Sequence, residues 1–72
     1  MSSSAHLATL AQAWAQAYRT RQAATAEKRA ADSAARDVGS FHPARDRAYC
    51  AAFAVTEARK VERAAAERLA TA

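Results

Sequence analysis

Few side chains in this sequence are of the types that do chemistry, and their spacing keeps them apart. His6 and His42 are separated by 36 positions and fall at opposite ends of any two-helix arrangement. Cys50 has Asp46 four residues before it and no histidine at helical spacing, so nothing in the sequence makes it an activated nucleophile. No Glu-x-x-His pair marks a metal site in a helix bundle. The single glycine, Gly39, offers no loop that could cradle a phosphate. The expectation is a protein that is not an enzyme and uses no metal or cofactor.

The residues suited to binding are more informative. Leu7, Leu10, Trp14, Tyr18, Tyr49 and Phe53 are large apolar or aromatic side chains in a chain otherwise dominated by small ones. Eleven basic residues against seven acidic ones give a net charge of +4. Charge begins only at Arg19.

The elements that must position these residues follow from composition. Alanine supplies 24 of the 72 residues, and glycine and proline occur once each. Alanine is the strongest helix former, and Gln, Glu, Lys and Arg favour helix as well, so the chain reads as all-α. Ser2, Ser3 and Ser4 offer N-caps for a first helix over about 4–37. Gly39 stands where a left-handed C-cap would end that helix. Ser40 is the next candidate cap, and Pro43 suits the first turn of a second helix over about 41–70. A turn as short as 38–41 between two long helices folds the whole chain, 1–72, into one antiparallel hairpin.

A seven-residue ladder sets the register. Leu10, Ala17, Ala24, Ala31 and Val38 mark one helix, and Ala44, Ala51, Ala58, Ala65 and Ala72 mark the other. Facing residues of an antiparallel pair have a constant index sum, and these pair at 82, as do Arg36 with Asp46 and Asp37 with Arg45. Small side chains at each turn let the helix axes approach closely. Beside this seam run Leu7, Trp14, Arg21, Lys28 and Ala35 on one helix and Phe41, Ala48, Val55, Glu62 and Leu69 on the other, which places Arg21 near Glu62. Asp32 with Arg36 and Arg63 with Glu67 are spaced for surface support along each helix.

Tyr49 and Phe53 project about 130–180° away from the alanines of their own helix and cannot pack against the first one. Leu7, Trp14 and Tyr18 extend the apolar stripe to one side of the seam. The large apolar side chains are too few to order 72 residues as an isolated helix pair. Self-association into a four-helix bundle, with these aromatics inside, is the first expectation. Docking of the same face on a larger protein is the second.

A chain of this kind would be a small interaction protein: an adaptor, inhibitor or accessory subunit. The alternative is a dimeric RNA- or DNA-binding regulator. The register brings Arg19 and Arg21 opposite Lys60 and Arg63, with Arg59 close by, as a basic patch for phosphates. Interspersed glutamates weaken that patch, and a solvated helical face is its plainer reading.

In size and plan the chain resembles the plasmid-encoded repressor-of-primer family, short helical hairpins that dimerise into four-helix bundles and bind paired RNA loops. The resemblance is one of architecture, and no residue of a family motif carries over.

One cysteine excludes an internal disulfide and fits a reducing, intracellular setting, the cytoplasm on the simplest reading. The first 26 residues lack acid and carry Ser2–Ser4, Arg19 and Arg21, loosely the composition of a mitochondrial transit peptide. The heptad ladder running through them argues against their removal. No apolar run approaches the ~20 residues of a membrane span.

Overall fold

The computed structural model describes residues 3–72, and within them every regular element is helical. Helix α1 spans Ser3–Ala35 and helix α2 spans Pro43–Thr71. The two lie side by side in a rod of 59 × 14 × 13 Å, the length expected of about 33 residues at 1.5 Å each plus a connection. Ser2, one of the expected caps, lies outside the described residues. No described helix is long and apolar enough to cross a membrane.

The alanine ladder is the line of contact between the helices. The buried residues among those described are Ala17, Ala31, Ala35, Ala51, Val55, Ala58 and Ala65. Ala31 has no exposed surface at all. Leu10, Ala24, Val38 and Ala44 are half-buried, and only Ala72, at the chain end, is exposed among the ladder positions. Arg21 and Glu62 meet across the seam, as their register requires, with Arg21 Nε donating to both carboxylate oxygens at 3.0 and 3.2 Å. Both side chains keep part of their surface in water. They form a layer at the edge of the core in which the guanidinium's apolar stem is covered and its charge is satisfied.

The connection departs from expectation. Helix α1 stops at Ala35 and α2 begins at Pro43, so the link covers 36–42 instead of 38–41. Gly39 is not left-handed, and no described residue has a positive φ. Helix α1 ends instead on tightened turns, the Arg36 amide donating to the Ser33 carbonyl at 3.4 Å and the Val38 amide to the Ala35 carbonyl at 3.5 Å. Arg45 ties α2 to the connection, donating from Nε and a terminal nitrogen to the Val38 carbonyl at 3.3 and 2.9 Å.

This early stop is why two expected ion pairs do not form. Arg36 and Asp37 have left the helical register before they can face Asp46 and Arg45. Phe41, expected beside the seam, is carried on the connection and is fully exposed. The cap of α2 is His42, not Ser40: its backbone is extended, and its Nδ1 accepts from the Ala44 amide at 3.1 Å. Because Pro43 follows as the first helical residue, its missing amide costs nothing.

A β-carbon added at Gly39 would meet nothing within 4 Å. With no positive φ to lose, Gly39→Ala is expected to stabilise the protein by about 0.4–1 kcal/mol by restricting the unfolded chain. Thermal unfolding of the variant beside the native protein checks this.

Candidate functional site

Two grooves flank the seam, and they differ in chemistry. The first, about 440 Å³, lies between Trp14, Tyr18 and Arg21 on α1 and Arg59, Glu62 and Arg63 on α2, with Ala66 at its edge. The spacing of Trp14 and Tyr18, one helical turn apart, stacks their rings at 5.7 Å between centroids and 28° between planes. Arg21 lies over Tyr18 at 5.0 Å from the ring centroid, a cation–π contact. Gln22 donates to the Tyr18 hydroxyl at 3.1 Å. The hydrogen bond from Arg21 to Glu62, aided by the charge of Glu62, raises the guanidinium further above its ordinary value, so Arg21 stays charged at any physiological pH.

The second groove, about 530 Å³, lies on the other flank. On α1 it is lined by Ala13, Gln16, Ala17 and Thr20; on α2, by Ala54, Glu57, Ala58 and Val61. Its walls are mostly methyl groups. A stripe on α2 leads into it: Tyr49, Phe53, Glu57 and Val61 succeed one another at four-residue steps, drifting gradually round the helix. Tyr49 is 78% exposed, Phe53 63% and Val61 59%.

The six side chains expected at one interface therefore separate. Tyr49 and Phe53 stand outward on α2. Trp14 and Tyr18 face the first groove. Leu7 is exposed near the open end, and Leu10 is half-buried in a hollow with His6, Arg68 and Ala72.

The expected basic patch is reduced in the same way. Arg21, Arg59 and Arg63 share the first groove, but Arg19 and Lys60 do not line it. Arg19 donates to Gln16 at 3.1 Å, and Lys60 pairs with Glu57 at 3.3 Å. Asp32 pairs with Lys28 at 2.7 Å in place of Arg36, which lies beyond the end of α1. Arg63 and Glu67 make no ion pair among the described residues.

A second cross-helix pair escaped sequence reasoning. Arg47 Nε donates to Glu27 at 2.7 Å. The two lie off the constant-sum register, and only their long side chains let them meet. The hydrogen bond from Arg47, followed by its charge, holds the Glu27 carboxyl below its ordinary value of 4.5. A carboxyl that titrates lower in the folded state stabilises the fold above its unfolded value, and that contribution disappears as pH falls through the folded one. The drop in melting temperature between neutral pH and pH ~3 is thus expected to be smaller for Glu27→Gln than for the native chain. Thermal melts of both at the two pH values give the comparison.

Among the described residues no three of His, Cys, Asp and Glu come together as metal ligands. Cys50 is exposed and free. Compared with known proteins, the chain matches no family model, no curated protein and no solved structure, so its function has to be read from these two grooves and the side chains around them.

Proposed function

We propose that this is a small, non-enzymatic helical interaction protein whose first partner is a second copy of itself. The observation that carries this reading is where the bulk lies. The buried core consists of six alanines and one valine, while Tyr49, Phe53 and Val61 are more than half exposed in one stripe. Burying an alanine methyl removes little apolar surface, and a helix pair joined by such a seam falls short of what the conformational entropy of the chain demands.

The outward stripe and the methyl-lined groove beside it supply the missing surface. A second copy, related by a two-fold axis, would present the same stripe in return, so each aromatic counts twice. The result is a four-helix bundle with alanine seams within each pair and aromatics between pairs. A larger protein offering a complementary apolar face could use the same stripe, and an adaptor or inhibitory role would follow from such docking.

Self-association ties stability to concentration by mass action. The melting temperature of the native chain is expected to rise by several degrees over a ~100-fold increase in concentration. A melting temperature independent of concentration would contradict the proposal.

A further inference from the structure

We propose that the groove between Trp14 and Arg63 is a binding site for an unpaired nucleobase carrying a phosphate. The site shares no residue with the self-association stripe, which stands outward on α2 and leads into the groove on the other flank of the seam, so failure of one proposal leaves the other standing. Its first feature is an aromatic wall already in place. The Trp14 and Tyr18 rings are stacked, and the Tyr18 hydroxyl is held by Gln22. Ordering these rings on binding therefore costs less than ordering free side chains.

The second feature is the charge balance. Glu62, the one acid in the groove, is satisfied by Arg21 at 3.0 Å. Arg59 and Arg63, one helical turn apart, make no ion pair among the described residues. Two uncommitted guanidiniums beside an aromatic wall suit a ligand with a flat π-face and an adjacent phosphate. The base stacks and the forked donors take the phosphate. A purely acidic partner would use the arginines and leave the rings idle.

Trp14 is the only tryptophan, so its fluorescence reports on the groove directly. The probes are a single-stranded oligonucleotide of about 12 nucleotides, a duplex of the same sequence, adenosine 5′-monophosphate, adenosine and a polyglutamate peptide, all at ~50 mM salt, where phosphate contacts are strong.

Quenching by the single strand alone identifies a nucleic-acid strand as the source. Comparable quenching by the mononucleotide identifies free nucleotide, and either result supports the site. Arg59→Gln/Arg63→Gln should weaken binding at least about tenfold and make the salt slope shallower by about 1.4. Tyr18→Leu, which keeps every charge, should weaken it about tenfold. Arg29→Gln/Arg36→Gln removes the same charge away from the groove and should change affinity less than about twofold. Circular dichroism verifies that each variant keeps its helix content.

The proposal is overturned if neither the strand nor the mononucleotide quenches. It is equally overturned if both arginine double variants lose affinity alike, or if adenosine, the duplex or polyglutamate binds as well as the single strand.

Discussion

Ala31→Leu is expected to destabilise the protein by about 1–3 kcal/mol, a large share of what a 72-residue chain possesses. Ala31 has no exposed surface and is the last ladder position within α1. A leucine there cannot swing into water, because the backbone of α2 passes close by. The helices must separate locally, and neighbouring alanines cannot shrink to compensate. The same substitution at Ala30, exposed one position earlier, is expected to change stability by no more than about 0.5 kcal/mol. Chemical denaturation of the two variants gives the contrast. Equal stabilities would mean that the alanine seam does not set the helix spacing.

Tyr49→Ser/Phe53→Ser is expected to abolish self-association and, with it, much of the helix content that the second copy sustains. Each ring occurs twice in a two-fold interface. At ~2 kcal/mol for each of four aromatic side chains, on the order of 8 kcal/mol of association energy would be removed, enough to shift the dissociation constant by several powers of ten. Neither residue contributes to the buried seam, so the loss of helix follows from losing the second copy and not from damage to the seam. The variant's melting temperature is expected to be low and independent of concentration. Should it melt at the same temperature as the native chain with the same concentration dependence, the stripe is not the interface.

Much of the fold was legible because alanine at seven-residue spacing leaves few alternatives. Ala17, Ala31, Ala51, Ala58 and Ala65 lie buried where the ladder put them, and Arg21 meets Glu62. The connection was less legible. Gly39 invites a left-handed cap, yet α1 ends earlier, at Ala35, and Arg45 holds the connection through the Val38 carbonyl, a contact that no local pattern announces. His42 could have been found, since the residue before a proline in the first helical turn is the natural cap. The candidate sites were half legible. Helical geometry set Tyr49 and Phe53 apart from the seam. The division of Trp14 and Tyr18 from them depends on which flank of the seam each side chain takes. Arg19 and Lys60 seemed to belong with Arg59 and Arg63 by index alone; their positions round the helix and their local partners Gln16 and Glu57 separate them.

The claim on which the rest depends is that a seam built almost wholly of alanine needs a second copy to cover the outward aromatics. Sedimentation equilibrium on the native chain, over the same ~100-fold range of concentration as the melts, tests it most directly. The predicted mass is twice the 7.7 kDa of one chain. A fully helical species of 7.7 kDa at every concentration would contradict it.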